Sequence, residues 1–205
     1  MKIVGISFSG ADNSMSLRGL RLMDNFIDFH NIVRPDLPIV NNISPDGVVP
    51  GAVELLWNQM EEADGFVFAV PEYTGHYSAH FKNVMDWLVV KSNFNADLGT
   101  SYPFSFKPFY VVTFTPSGNK EIGGRHFEMT NHLLTKMGGL AQGHSVMNAC
   151  WKYLLPNNPE FVKDLSQKVL DKFDTYESVE RKENNVSDTV SNWNQQYEDW
   201  EEAWN

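Results

Sequence analysis

The stretch Phe66–Trp87, FVFAVPEYTGHYSAHFKNVMDW, constrains the fold more than any other part of the chain. Five apolar residues, Phe66–Val70, run without interruption and stop at Pro71. A run of that length closed by proline predicts a strand buried on both faces, because a strand covered on one face alone alternates apolar with polar. Pro71 has no N–H to give a neighbouring strand, so the ladder ends there. Glu72–Ser78, with Gly75 inside it, reads as a turn. From Ala79 the apolar period turns helical: Phe81, Val84, Met85, Leu88 and Val89 stand at i, i+3, i+4, i+7 and i+8. Strand, exposed loop, helix is the repeating unit of an open parallel sheet. Ligands of such sheets lie in the crevice at the carboxyl ends of the strands.

The same unit recurs along the chain. Lys2–Ile6 is the first expected strand, followed by a hydroxyl-rich loop, Ser7–Ser16. Leu17, Leu20, Met23 and Ile27 then carry an amphipathic helix to about His30. Asp36–Val40 is the expected second strand, near an edge, and Val53, Leu55, Leu56, Met60 and Ala63 place a helix at 51–63. Phe109–Thr115 is the fourth strand. It leads into a second Gly-rich loop, Pro116–Arg125, and a helix through Phe127, Leu134 and Met137 that Gly138 and Gly139 end. Leu140–Met147 is the fifth strand, and Phe161, Leu165, Val169 and Phe173 mark a closing helix. Alternating strands and helices predict an α/β fold, a doubly wound five-stranded parallel sheet in the order 2-1-3-4-5 with helices on both faces. Lys91–Lys107 has no period and is expected to be a long loop over the site or at a subunit contact. Residues 1–180 are expected to form one domain and 181–205 a polar linker with an extra C-terminal amphipathic helix. Val186, Val190, Trp193, Tyr197, Trp200 and Trp204 make its heptad-like apolar stripe, which suits docking on the parent domain or on a second subunit.

The first loop suits a phosphate. Serine hydroxyls and backbone N–H groups satisfy phosphate oxygens, and the helix dipole favours the charge. Arg18 or Arg21 is available to add a cation from the following helix. An ordinary capped turn is the plainer reading of that loop taken alone.

Pro71-Glu72-Tyr73-Thr74-Gly75, then Lys82-Asn83 and Asp86-Trp87, resembles the Pro-Glu-Tyr-Asn … Leu-Lys-Asn-x-x-Asp-Trp signature of the NAD(P)H-dependent FMN reductases. That family has a flavodoxin-like fold and includes chromate-, quinone- and azo-reducing members. Thr74 stands where the family has Asn. Ser78-Ala79 replaces its usual Pro-Gly, and Ser78 is expected to cap the helix instead. In the first loop the family's Gly-Ser-x-Arg-x-x-Ser-x-Asn is matched in part, with Phe8 for Gly and Ala11 for Arg. The resemblance implies FMN contacts by Ser9, Asn13, Ser14, Met15 and Ser16 on the phosphate side. It implies further contacts by Pro71, Glu72, Tyr73, Thr74 and Gly75 along the isoalloxazine ring, and by Thr115, Pro116, Ser117 and Gly118 at its pyrimidine end. His76 and Tyr77 are the expected substrate contacts. No side chain is expected to be catalytic, since the flavin would carry hydride from NADPH or NADH to a flavin, quinone or similar small acceptor. An FMN-binding electron carrier without its own nicotinamide turnover is the alternative, and a relative that has lost the flavin is a third reading. The resemblance also implies a homo-oligomer, a dimer or tetramer.

Bulk properties narrow the partners. The 205 residues carry a formal net charge of −10, which argues against a nucleic-acid partner. Cys150 is the sole cysteine, so no intrachain disulfide forms, as expected in a reducing cytoplasm. The apolar run at the N-terminus is too short for a signal peptide, and no run approaches a membrane span. His76 and His80 stand four apart, but a loop-to-helix boundary falls between them and no third ligand is evident, so no metal is expected. No Gly-x-Ser-x-Gly or Cys-x-x-Cys motif points to covalent catalysis.

Overall fold

A computed structural model describes residues 1–41, 48–94, 101–117, 124–154 and 156–180. In chain order these form β1 (Ile3–Ser7), α1 (Met15–Ile27), β2 (Asn31–Val33), α2 (Gly51–Glu61), β3 (Gly65–Ala69), β4 (Glu72–Tyr73) and β5 (His76–Tyr77). They continue with α3 (Ala79–Phe94), β6 (Pro108–Phe114), α4 (Gly124–Lys136), β7 (Leu140–Met147), α5 (Trp151–Leu154) and α6 (Glu160–Glu180). The main sheet runs β2-β1-β3-β6-β7 with every neighbouring pair parallel, which is the expected 2-1-3-4-5 order. Residues 1–173 form one compact unit and 174–205 a second, of which 174–180, the end of α6, is described. The expected tail helix at 181–205 lies outside the described residues.

The central strands are buried throughout because each face feeds its own core. Val4, Ile6 and Phe8, then Phe66, Phe68 and Val70, then Phe109 and Val111 point to one side, where α2, α3 and α4 cover them. Ile3, Val67, Ala69, Tyr110, Val112 and Phe114 point to the other, among α1, α5 and α6. The strand period of two sorts these residues. On the first side the rings interlock: Phe68 lies 5.5 Å from Phe8 and 5.7 Å from Phe109, and Phe8 lies 4.9 Å from Phe81.

The second strand is the main correction. It is Asn31–Val33, not Asp36–Val40. Pro35 and Pro38 have no N–H for a ladder, so the chain leaves the sheet after Val33 and is held by side chains. Asn83 accepts from the Val40 N–H at 2.8 Å and donates to the Pro38 carbonyl at 2.9 Å. Trp87 Nε1 donates to that same carbonyl at 2.7 Å. Lys82 and Asp86 pair one turn apart. Asn83 and Trp87 of the signature are therefore occupied in clasping the crossing segment to α3, while Lys82 and Asp86 brace the helix itself.

Other boundaries shift less. Glu72–Ser78 contains a small antiparallel hairpin, β4 with β5, rather than a plain turn. Helix α1 stops at Ile27, where Asp28 takes the left-handed conformation. Helix α3 runs on to Phe94 and α6 to Glu180. Strand β6 begins at Pro108, a strand's first position being one that tolerates proline. The single turn α5 had no period to reveal it.

Candidate functional site

Three loops leave the carboxyl ends of β1, β3 and β6, and the first two are tied to each other. The Phe8 N–H donates to the Ala69 carbonyl at 2.9 Å, and the Val70 N–H to the Val112 carbonyl at 3.0 Å. Ser78 is fully engaged: its Oγ accepts from the Phe81 N–H at 3.0 Å, capping α3 as expected, and donates to the Phe8 carbonyl at 2.8 Å. One buried hydroxyl thus starts a helix and fixes the first loop.

In the first loop Phe8 turns inward and is completely buried, so a residue where the family has glycine serves the core here. Ser9 is buried behind it, while Gly10, Ala11, Asp12 and Asn13 are exposed. Ser14 caps α1: its Oγ accepts from the Leu17 N–H at 3.2 Å, which leaves its own hydrogen to donate outward. Met15 is half-buried and Ser16 is buried in the first turn, which holds no acidic residue. An anion at this helix end meets N–H dipoles without a competing carboxylate in that turn. Arg18 Nη1 is engaged at the other end of the domain's chain, donating to the Leu154 carbonyl at 3.4 Å and to Asn157 Oδ1 at 3.2 Å. Arg21 is exposed on the same helix.

In the second loop Pro71 is buried and Glu72 half-buried. Tyr73, Thr74 and His76 are exposed at the hairpin, Gly75 is half-buried, and Tyr77 leans on the Phe81 ring at 5.1 Å. Thr74 and Gly75 are the two central turn residues, with φ of 54° and 78°. Positive φ at both positions is the type I′ geometry that matches the twist of a two-residue hairpin. It favours Asn-Gly, so the family's Asn at this place has a conformational reason, and Thr74 bears the strain of a β-branched residue there. Its Oγ1 donates to the Tyr73 carbonyl at 2.7 Å. His80 is half-buried, its Nε2 at 2.7 Å from the Pro35 carbonyl.

In the third loop Thr115 is buried, Pro116 exposed and Ser117 half-buried; Gly118 lies outside the described residues. Thr115 Oγ1 accepts from the Ser117 N–H at 3.2 Å, and the Thr115 carbonyl accepts from the Cys150 N–H at 3.0 Å. Burial pushes the Cys150 thiol up to about 11, which leaves it protonated and unreactive at neutral pH.

His126, on the first turn of α4, gave no sequence signal. It is fully buried beneath these loops. Thr113 Oγ1 donates to the Val70 carbonyl at 2.9 Å and must therefore accept from His126 Nε2 at 3.1 Å. That assignment puts the imidazole proton on Nε2 and leaves Nδ1 an acceptor. Burial lowers the His126 pKa to about 4; the Val70 carbonyl opposes the shift and the nearby His76 charge adds to it. Among the described residues His126 Nδ1, Glu72 Oε2 and Ser7 Oγ are buried with no hydrogen-bond partner. Native proteins rarely leave such atoms orphaned, and a polar ligand is one way to satisfy them. No group of three His, Cys, Asp or Glu gathers among the described residues to hold a metal.

An NADPH:quinone oxidoreductase of Arabidopsis thaliana is 39% identical to this chain over 62 residues, 30% of this chain and 32% of that protein. An NAD(P)H:quinone oxidoreductase of Solanum tuberosum matches at 39% over 62 residues, with the same 30% and 32% covered. The similarity thus spans about a third of the length of these curated relatives. Among solved structures, an NADH:FMN oxidoreductase superposes with a TM-score of 0.57 at 14% identity, covering 83% of this chain and 87% of that one. A flavoenzyme NAD(P)H:(acceptor) oxidoreductase of Paracoccus denitrificans superposes with a TM-score of 0.52 at 20% identity, covering 72% and 75%. Identities that low carry the fold alone, which is flavodoxin-like. The sequence profile of the NADPH-dependent FMN reductases matches residues 1–151, the whole sheet and its three loops, and the chain belongs to that family.

Proposed function

We propose that the chain is an FMN-dependent NAD(P)H oxidoreductase acting on a quinone or a similar small acceptor. The observation that carries this reading is the set of three neighbouring loops at the carboxyl ends of β1, β3 and β6, the first two bonded to each other, next to the capped α1 N-terminus. The residues fit FMN. Ser9, Asn13, Ser14, Met15 and Ser16 would hold its phosphate, with the Ser14 hydroxyl and α1 N–H groups as donors. Pro71–Gly75 would lie along the ring, and Thr115–Gly118 at its pyrimidine end. The orphaned Glu72 Oε2 and His126 Nδ1 leave hydrogen-bonding capacity buried behind the loops. His76, exposed beside the hairpin tip, and Tyr77 behind it would face the substrate. When bound, FMN supplies two-electron chemistry, taking hydride from the nicotinamide and passing it to the acceptor. The protein anchors and orients; no side chain exchanges a proton in this reading.

Mixing the purified holoprotein with NADPH in the absence of oxygen tests it. Bleaching of the flavin bands, reversed by a quinone, is the expected result. A yellow protein that stays oxidised with both NADPH and NADH would instead be an electron carrier. We further propose a cytoplasmic homodimer or tetramer whose 181–205 tail docks on a second subunit. No helix among the described residues is long and apolar enough to cross a membrane. Light scattering of a chain lacking 184–205 would show a lower oligomeric mass; an unchanged mass and dissociation constant would assign the tail to its own domain.

A further inference from the structure

We infer that Arg34 is the positioning residue of the phosphate loop, gripping its exposed turn and cancelling the one carboxylate on it. Arg34 leaves the sheet just after β2, yet its guanidinium reaches back across 24 residues of sequence. Nη1 donates to the Gly10 carbonyl at 3.3 Å and Nη2 pairs with Asp12 Oδ1 at 2.6 Å. The two contacts bracket Ala11. The Arg34 side chain is only 19% exposed although Asp12 is 88% exposed, so the cation is packed against the loop rather than waving in solvent. Its backbone is placed by α3: His80 Nε2 donates to the carbonyl of the next residue, Pro35. Leu37, buried under the same segment, adds a second fixed point.

The loop needs such a partner. A phosphate monoester carries up to two negative charges, and Asp12 sits two residues before the Ser14 cap that starts the anion-favouring helix end. Left unpaired, the Asp12 carboxylate opposes any anion there. Arg18 Nη1 is engaged with Leu154 and Asn157. Arg34 removes that repulsion and fixes the turn in one stroke, through a charge-assisted pair and a backbone carbonyl. The second salt-bridge partner, Asp36, is 4.0 Å away and competes weakly.

This inference rests on the FMN reading, and the test separates the two. The full chain, freed of flavin, is titrated with FMN and with riboflavin, which lacks the phosphate, at low salt. For Arg34→Gln the FMN Kd is expected to rise about tenfold, with the riboflavin Kd within about twofold of wild type. Adding Asp12→Asn to Arg34→Gln is expected to recover most of the loss. Should Arg34→Gln not fold, Arg34→Lys keeps the charge and is expected to hold FMN within about threefold of wild type. Equal losses for FMN and riboflavin would reduce Arg34 to a fold clamp. An unchanged FMN Kd, an Asp12→Asn addition that recovers nothing, or a tenfold FMN loss in Arg34→Lys would each overturn the charge-cancelling role. Wild-type protein that takes up neither flavin would overturn the FMN reading itself.

Discussion

Gly19→Ala probes how tightly the site is coupled to the core. Gly19 lies on the buried face of α1, and a Cβ built there falls on the Phe114 ring. Phe114 is 4% exposed and closes β6, one residue before the third loop. Carbon atoms rest at about 3.5–4.0 Å, so either the ring or the helix must shift by roughly 1 Å. Ala is better than Gly in a helix by about 1 kcal/mol. Overpacking a filled core costs about 1–3 kcal/mol. The clash falls on three ring atoms of a buried side chain, which puts the cost in the upper half of that range, about 2–3 kcal/mol, and a net loss of about 1–2 kcal/mol is expected. With a urea slope of about 2 kcal/mol/M, the unfolding midpoint falls by roughly 0.5–1 M. The same shift moves the α1 N-terminus at Ser14, and on the proposed FMN reading a weaker FMN affinity is expected with it. Phe114→Leu in the Gly19→Ala background opens room, and the pair is expected to show a favourable coupling of about 1 kcal/mol. A Gly19→Ala protein as stable as wild type would refute the reasoning, since the ring would then be free to yield and helix propensity would dominate.

Thr74→Asn places a residue that tolerates positive φ at the hairpin turn and is expected to stabilise by about 0.5–1 kcal/mol; a lower melting temperature would contradict the turn assignment. Ser78→Ala removes the α3 cap and leaves the Phe8 carbonyl short of a donor, for an expected loss of about 1–3 kcal/mol in denaturant unfolding. Finally, His126 is held neutral in the fold with a pKa of about 4 against about 6.5 unfolded. The unfolded chain therefore binds the proton first, so stability is full above pH 6.5 and declines as pH falls towards 4, by on the order of 2–3 kcal/mol. His126→Gln should flatten that slope in urea titrations from pH 7 to 4.5; an unchanged slope would remove His126 as its source.

The expected Asp36–Val40 strand shows where sequence reading stops. Those residues have strand-like side chains, but their partners are Asn83 and Trp87, more than forty positions away, and nothing local records that bond pattern. Arg34 was unreadable for the same reason, since its grip on Gly10 and Asp12 exists only once β1 and β2 lie side by side. His126 looked like any helical histidine until β3 and β6 brought Val70 and Thr113 beneath it. The strand and helix order was legible because burial imposes periods of two and 3.6 on apolar residues, and each period is written in neighbouring positions. Phe66–Val70 declared a strand covered on both faces, and the Ser14 and Ser78 caps act within four residues of themselves. Local chemistry therefore determined the five-stranded α/β plan and the three loops at its carboxyl edge. Which side chain reaches which loop was decided by the tertiary structure alone, because those contacts join residues that only the folded sheet makes neighbours.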